Sequence, residues 1–481
     1  MRWISPSTEA YTSTTCKEWN NALTIDLSAS EIRAAIALAE AQLDFEQRNR
    51  KIPGLSSGIV YDQALIWSHG YGYANVEKQI PTDARSVYRC ASITKLFTST
   101  MMMMLRDAGK LNLDDPLEKY APEFRIRSPY ADARPATFRM VSSHAAGLPR
   151  EGEHEGWATL DMLTAEELLG TLEHSEMLMP TMSEPKYSNL GIAMLGYTLG
   201  KIAGQPFTEF VKEHILTPLG MFDTGFERNP YTDEHYAQGY NKENVDKFTP
   251  APDWDPRGWI PAGGIYSTIA DISKFISLQF TDAPAGATPS QILGSSTLRE
   301  MHMPVNVAPD FKTAFGLGFD ITRVANQKIV GHSGSVPGYR TNISLVPALK
   351  LGVAVFTNTA TDPIAITDKV LETLVPAFEH QTIEPEATPE QIAAWKPYMG
   401  RYKWLSFDDI LDIRMVKGYL TALMIGEAPE TFVKLKPAGE HQFKMVGGHS
   451  ANEPLRFTLD ESGKVTGLWF GGYPFKRIEE E

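Results

Sequence analysis

A serine and a lysine one helical turn apart are the first pair in this sequence whose types and spacing suggest catalysis. Ser92 and Lys95 open a run in which apolar residues recur at helical spacing as far as Gly109, so the two side chains should share one face of a helix. Burial and the positive end of the helix dipole both disfavour an ammonium there. A neutral Lys95 could therefore take the proton of Ser92 and make its oxygen a nucleophile. Taken alone, the same spacing also arises by chance, from an N-capping serine and a solvated lysine.

A tyrosine and an asparagine further along the chain could assist such a pair. Tyr187 and Asn189 come just before a predicted helix over residues 190–202. A phenol beside a lysine can act as a base and later return the proton to a leaving group. An amide side chain such as that of Asn189 can orient the lysine and bond a substrate carbonyl. Without other signals, however, a tyrosine in a loop is usually there for packing.

The segment 332–335, His-Ser-Gly-Ser, directly follows a short predicted strand. Its glycine lets a substrate backbone lie close to the strand edge. The backbone amide of Ser335 could join that of Ser92 in binding an oxyanion. His332 would line the pocket and meet a substrate carboxylate or carbonyl, although a histidine at a strand end also has a purely structural explanation.

The three motifs Ser-x-x-Lys, Tyr-x-Asn and His-x-Gly, in this order, resemble the penicillin-recognising serine hydrolases, in particular the branch of class C β-lactamases and D-alanyl-D-alanine carboxypeptidases. Four further segments are similar to signature loops of that family, namely residues 71–75, 109–116, 143–149 and 262–268. The resemblance covers about residues 30–380.

This resemblance implies a role for each matching residue. Ser92 would be the acylated nucleophile, with Lys95 and Tyr187 as its acid/base pair. The implied substrate contacts are the side chain of Asn189 and a wall of the pocket formed by His332 and Gly334. The implied oxyanion donors are the backbone N–H groups of Ser92 and Ser335. His144 is interpreted as structural, and neither a cofactor nor a metal is predicted.

One departure from the class C pattern bears on function. Those enzymes carry Lys-Thr-Gly at the third motif, whereas this chain has His332-Ser333-Gly334. A lysine is a permanent cation for a β-lactam carboxylate, but histidine is mostly neutral near pH 7. The departure disfavours an efficient β-lactamase and is more typical of the family's peptidases, esterases and peptide-cyclising thioesterases.

We therefore expect a serine hydrolase that cleaves an amide, ester or lactam bond, most readily in a D-residue peptide or a short-chain ester, through a Ser92 acyl-enzyme. Two alternatives stay open. The acyl group could pass to an amine or alcohol, in an acyltransferase or peptide-cyclising thioesterase. The domain could also be a penicillin-binding sensor that acylates once without turnover.

The elements that must position these residues follow from changes in the hydrophobic period. A capping-box pattern at Ser28 predicts a helix to about residue 48, and alternating runs at 55–60 and 64–67 predict a hairpin. A helical block over about residues 92–225 precedes predicted strands at 316–324, 328–330, 341–347 and 351–357 and a helix at 364–379. This order indicates an α+β fold in which helices flank an antiparallel sheet, with a helical subdomain inserted.

The domain boundaries come from shifts in composition. Residues 1–27 form a predicted extension, 28–380 the hydrolase domain, and 381–390 a linker rich in Pro and Glu. Residues 391–481 contain six short alternating runs separated by turns, which predict a small antiparallel barrel. This tail resembles the lipocalin-like barrel of many relatives. It could cap the active-site mouth or mediate a homo-oligomer.

Composition limits the partners. The 481 residues carry 45 basic and 59 acidic side chains, a formal net charge of −14, so nucleic acid and anionic membranes are disfavoured as partners. With no signal-peptide or membrane-spanning run, we expect a cytoplasmic protein that acts on a small molecule or short peptide. Cys16 and Cys90 are predicted to be free thiols. The acidic stretch 151–155 is predicted to be a solvated loop rather than a metal site.

Overall fold

The computed structural model describes residues 25–152, 154, 156–244, 247–381, 387–416, 418–428, 431–447 and 450–479. The chain divides into two compact units, Met1–Thr382 and Ile383–Glu481. Three features of the sequence lie outside the described residues: most of the predicted extension, Cys16, and the middle of the predicted linker.

The first unit alternates strands with helices. Its described helices are α1 (Ser30–Asn49), α2 (Thr94–Asp107), α3 (Phe138–Ser142), α4 (Gly156–Thr159), α5 (Ala165–Thr171), α6 (Asn189–Ala203), α7 (Phe207–Val211), α8 (Thr217–Leu219), α9 (Pro230–Glu234), α10 (Ile260–Gly263), α11 (Ile269–Leu278), α12 (Ser295–Met301) and α13 (Ile364–Gln381). Its described strands are β1 (Gly54–Tyr61), β2 (Ala64–Asn75), β3 (Ile80–Pro81), β4 (Tyr88–Arg89), β5 (Tyr240–Lys242), β6 (Phe248–Pro250), β7 (Tyr266–Ser267), β8 (Asn306–Val307), β9 (Ala314–Phe315), β10 (Asp320–Val324), β11 (Gln327–Val336), β12 (Tyr339–Val346) and β13 (Leu351–Thr357).

Nine of these strands form one antiparallel sheet in the order β3-β2-β1-β13-β12-β11-β10-β9-β8. Its central strands are apolar on both faces, so both faces must be covered. Along β13, Val353 and Val355 pack into the core beneath α1 and α13, whereas Ala354 and Phe356 belong to the core on the opposite face, with α2, α6 and α11. The predicted α+β fold, with helices flanking an antiparallel sheet, is confirmed.

Three local predictions differ from the structure. Helix α1 starts at Ser30 without a side-chain cap, because the hydroxyl of Ser28 donates to Asp26 Oδ1 (2.6 Å) instead. The strand expected at 316–324 begins only at Asp320, since the backbone turns at Gly318 with φ +85°. Strand β11 does not end at residue 330 but continues to residue 336.

The second unit begins with α14 (Pro389–Trp395), so the predicted linker is shorter than expected: Gln381 still belongs to α13 and Pro389 already opens a helix. Its described strands close into an eight-stranded antiparallel barrel: β14 (Gly400–Trp404), β15 (Ile410–Val416), β16 (Tyr419–Met424), β17 (Val433–Gly439), β18 (Gln442–Val446), β19 (Pro454–Leu459), β20 (Val465–Phe470) and β21 (Tyr473–Arg477). The predicted barrel is present, although the sequence patterns had indicated only six of its strands.

Candidate active site

Ser92 lies in a single 3₁₀ turn, Ala91–Ile93, directly before helix α2. Ala91 has φ +50°, a left-handed conformation that costs an L-residue roughly 1–2 kcal/mol. The turn is held from both sides, because the Cys90 N–H donates to the Ile265 carbonyl (2.9 Å) and Thr341 Oγ1 donates to the Cys90 carbonyl (2.9 Å). The surrounding fold thus fixes the backbone from which Ser92 projects.

Gly334 lies in β11 against this turn. A β-carbon at position 334 would overlap the carbonyl oxygen of Cys90 and the hydroxyl of Thr341, so only glycine lets the strand and the Ser92 turn approach so closely. The substrate contact implied for Gly334 stays a prediction. What the structure adds is that Gly334 allows β11 to pack against the segment that carries Ser92.

Lys95 is the hydrogen-bonding partner of Ser92. Its Nζ donates to Ser92 Oγ (2.9 Å) and to the Ala262 carbonyl (2.6 Å), and the residue is 1% exposed. Burial lowers the pKa of Lys95 from 10.5 to about 7, against the opposing charges of Glu151 and Asp320. A large fraction of Lys95 is therefore neutral at neutral pH and able to accept a proton.

Tyr187 lies just before α6, whose first turn is capped by Ser188 through a hydrogen bond that its Oγ accepts from Gly191 (2.8 Å). Its ring lies 5.0 Å from Lys95 Nζ and 5.2 Å from the guanidinium carbon of Arg150. Burial raises the pKa of Tyr187, and a hydrogen bond with Ser92 partly opposes that rise. The phenol therefore keeps its proton at neutral pH and is suited to pass it on.

His144 packs against this tyrosine from the other side, with its ring 4.3 Å from that of Tyr187. Its backbone has φ +56°, and burial lowers its pKa well below 6.5. The Ser188 N–H donates to His144 Nδ1 (3.3 Å). His144 thus holds the Tyr187 loop in place as a neutral group, in line with the structural role that the sequence indicated.

His332 lies within β11, on a stretch of strand edge that β10 leaves unpaired. The described pairing of β10 with β11 ends at Gly331. Because the Ser333 carbonyl can only accept, His332 Nδ1 is the donor in their 2.6 Å hydrogen bond, and burial lowers the pKa of His332. A neutral His332 therefore presents a lone pair at Nε2, which cannot bond the substrate carboxylate or carbonyl that the sequence suggested.

Asn189 lies at the start of α6, and its Nδ2 donates to Glu151 Oε1 (2.5 Å). The amide is thus oriented by Glu151. Glu151 was expected to lie in a solvated loop, and this expectation is wrong. Glu151 belongs to the site, although it was not among the predicted site residues. A signal was available, because Glu151 lies two residues after the signature-like loop at residues 143–149.

A cavity of about 640 Å³ joins these groups. It is lined by Ser92, Arg150, Glu151, Trp157, Tyr187, Asn189, Thr313, Ala314, Phe315, Asp320, Ile321, Thr322, His332, Ser333 and Ser335. The structure therefore brings together most of the residues selected from the sequence, with Lys95 hydrogen-bonded to Ser92 and Gly334 behind the Ser92 turn. Arg150, Trp157 and Asp320 were not foreseen. The oxyanion role of the Ser92 and Ser335 amides stays a prediction.

Comparisons with known proteins identify the family of this chain. A family model described as beta-lactamase matches residues 36–375. Beta-lactamase-like protein 2 of Dictyostelium discoideum is 32% identical over 384 residues, which cover 78% of this chain and 69% of that protein. Putative beta-lactamase-like 1 of Homo sapiens is 26% identical over 362 residues, covering 73% of this chain and 70% of that protein.

Two solved structures are similar over most of their own length. The octameric penicillin-binding protein homologue from Pyrococcus abyssi superposes with a TM-score of 0.63 at 25% identity, covering 92% of this chain and 99% of its own. The beta-lactamase/D-alanine carboxypeptidase from Yersinia pestis has a TM-score of 0.59 at 22% identity, covering 72% of this chain and 99% of its own, a likeness of fold alone. The family match over residues 36–375 and the 32% identity show more than a shared fold. This chain belongs to the beta-lactamase family.

Proposed function

We propose that this chain is a serine hydrolase that cleaves amide, ester or lactam bonds through an acyl-enzyme on Ser92. One observation carries the proposal: a buried Lys95 with a pKa of about 7 lies in hydrogen-bond contact, 2.9 Å, with Ser92 Oγ. A lysine that is neutral near pH 7 can act as a general base, whereas an ordinary lysine cannot.

In acylation, neutral Lys95 takes the proton of Ser92 while Oγ attacks the carbonyl carbon of the substrate. The negative charge that develops on the carbonyl oxygen would be bound by the backbone amides of Ser92 and Ser335. When the bond to the leaving group breaks, the Tyr187 phenol gives its proton to the leaving atom and is reprotonated by Lys95. The products are an ester on Ser92 and a neutral leaving group.

In deacylation, the same groups work on water. Neutral Lys95 takes a proton from the attacking water and then gives it to Ser92 Oγ as the ester bond breaks. The net reaction consumes one water and releases a carboxylic acid. D-residue peptides and short-chain esters are the substrates that we propose to test first.

An activity-based probe tests the nucleophile. The wild-type protein should gain one fluorophosphonate adduct by intact-mass spectrometry, and Ser92→Ala should gain none. Ser333→Ala is the matched control, since Ser333 lines the same cavity and should not be needed for labelling. Labelling of Ser92→Ala at the wild-type rate would contradict the proposal.

The similarity to a solved relative supports a further proposal about assembly. The Pyrococcus abyssi relative is described as octameric, and the similarity to it extends over 92% of this chain. We propose that this chain also forms a homo-oligomer. Light scattering on purified protein should give a multiple of 53.4 kDa, and a monomeric mass at micromolar concentration would contradict this.

None of the described helices is both long and apolar enough to cross a membrane.

A further inference from the structure

Three buried hydrogen-bond acceptors at the cavity have no donor among the described residues. They are Glu151 Oε2, Asn189 Oδ1 and His332 Nε2. All three residues line the cavity that Ser92 lines. A buried polar atom without a partner is costly, so such a cluster inside a cavity points to a ligand that supplies the missing donors.

The hydrogen bonds already present fix these three atoms as acceptors. Asn189 uses its Nδ2 to donate to Glu151 Oε1 (2.5 Å), which leaves Oδ1 as its free atom. His332 uses its Nδ1 to donate to the Ser333 carbonyl (2.6 Å), which leaves a lone pair on Nε2 of the neutral ring. The second oxygen of Glu151 can only accept.

The charges around the cavity favour a cation. Besides Glu151, Asp320 lines the cavity, and no cationic side chain forms an ion pair with it in the described part of the chain. Two groups oppose this negative charge. Arg150 has its Nε 3.8 Å from Glu151 Oε1, and Lys95 is partly protonated near neutral pH. Among the described residues Asp320 forms no ion pair of its own, although its charge acts on Lys95.

The three acceptors need hydrogen-bond donors, and this need limits which chemical groups the ligand can carry. A carboxylate or carbonyl brings only acceptors and would leave all three atoms unpaired, and a hydroxyl brings one donor. A primary ammonium brings three donors and a positive charge. It therefore matches both the number of free acceptors and the negative charge of Glu151 and Asp320.

We infer that the acyl part of the substrate carries a primary ammonium group, as in an aminoacyl amide or ester, bound by Glu151, Asn189 and His332 and attracted by Asp320. This inference rests on the proposed function, since it takes the acyl carbonyl to lie at Ser92. Under this inference Glu151 and Asp320 determine substrate specificity, and His332 Nε2 accepts a hydrogen bond from the ammonium.

Paired substrates test the inference. The 4-nitroanilides of D- and L-alanine should be hydrolysed with a kcat/KM at least about tenfold above that of the 4-nitroanilide of lactic acid of matching configuration, which replaces the ammonium by a hydroxyl of similar size. Glu151→Gln and Asp320→Asn should each lower this ratio toward one. The exposed carboxylate of Glu184 supplies the control, and Glu184→Gln should keep the wild-type ratio. Equal hydrolysis of both substrates, or a ratio unchanged in both site variants, would overturn the inference.

A binding measurement separates this inference from the proposed function. Ser92→Ala should bind alaninamide at least about tenfold more tightly than lactamide by calorimetry, and Glu151→Gln in the same background should remove the difference. If the wild-type protein hydrolyses no anilide and takes no fluorophosphonate, the proposed function fails, yet a preference for alaninamide would still support the ammonium site. Equal affinity for the two amides would overturn it, whatever the protein hydrolyses.

Discussion

The cores of the two units differ in what they bury. In the first unit, Lys95 and His332 are 1% and 3% exposed, and many other polar side chains are buried there, among them Ser57, Thr98 and Asp271. Among the described residues of the barrel, only Asp412 and Thr421 are buried polar side chains; Asp412 forms an ion pair with Arg414, and Thr421 donates to the carbonyl of the same residue. Because burying polar groups costs stability, the many buried polar side chains of the first unit should cost it more stability than the few in the barrel cost the second unit.

The largest effect should come from a cavity in the apolar core of the barrel. Leu468 is 1% exposed, and Leu468→Ala should destabilise the barrel by about 2–5 kcal/mol. Denaturant unfolding followed by circular dichroism measures the change. Leu405→Ala, at a leucine that is 63% exposed, is the control and should have little effect. A loss below 1 kcal/mol would mean that the barrel core is not the tightly packed one described.

The next largest effect should come from the contact between Gly334 and the turn that carries Ser92. Gly334→Ala forces a β-carbon onto the Cys90 carbonyl and should destabilise the first unit by about 1–3 kcal/mol, with slower fluorophosphonate labelling of Ser92. Gly170 is the matched control, since a β-carbon there meets nothing within 4 Å. Labelling at the wild-type rate in Gly334→Ala would show that the close approach is not needed.

The stability cost of the buried lysine should be measurable directly. Lys95→Met should abolish activity yet stabilise the protein by about 1–3 kcal/mol at pH 7. The substitution removes the free-energy cost of burying an amine, and this cost exceeds the stabilisation from the hydrogen bonds that are lost. The pKa of Lys95 is about 7 when folded and 10.5 ordinarily, so the unfolded state binds more protons between these values and wild-type stability rises with pH there. The advantage of Lys95→Met should therefore shrink from pH 7 to 10.5 in thermal unfolding. A destabilised variant at pH 7 would contradict this.

The sequence predicted best the elements whose pattern is set by burial. The central strand β13 coincides with the predicted run at 351–357 because both of its faces are apolar. The barrel strands β14 and β21 escaped prediction, and β21 contains Pro474, which weakens a strand pattern. The end of β11 was also missed, because three of its last residues, His332, Ser333 and Ser335, are polar and line the cavity.

For the site, short motifs predicted the candidate reacting groups but not their neighbours. Ser92, Tyr187 and His332 belong to short motifs that can be recognised along the chain, and they do line one cavity. Asp320 reaches the cavity from the start of β10, and no local pattern marks a carboxylate that acts across a sheet edge. The left-handed Ala91 was equally invisible, because alanine has no preference for that conformation.

The pH dependence of Ser92 acylation tests the central claim most directly, namely that a buried, neutral Lys95 activates Ser92. The second-order rate of fluorophosphonate labelling, followed by intact mass from pH 5 to 10, should fall at low pH and reach half of its maximum near pH 7, where Lys95 titrates. A rate that still rises through pH 10 would instead indicate an ordinary lysine or a tyrosinate as the base, and would contradict the account.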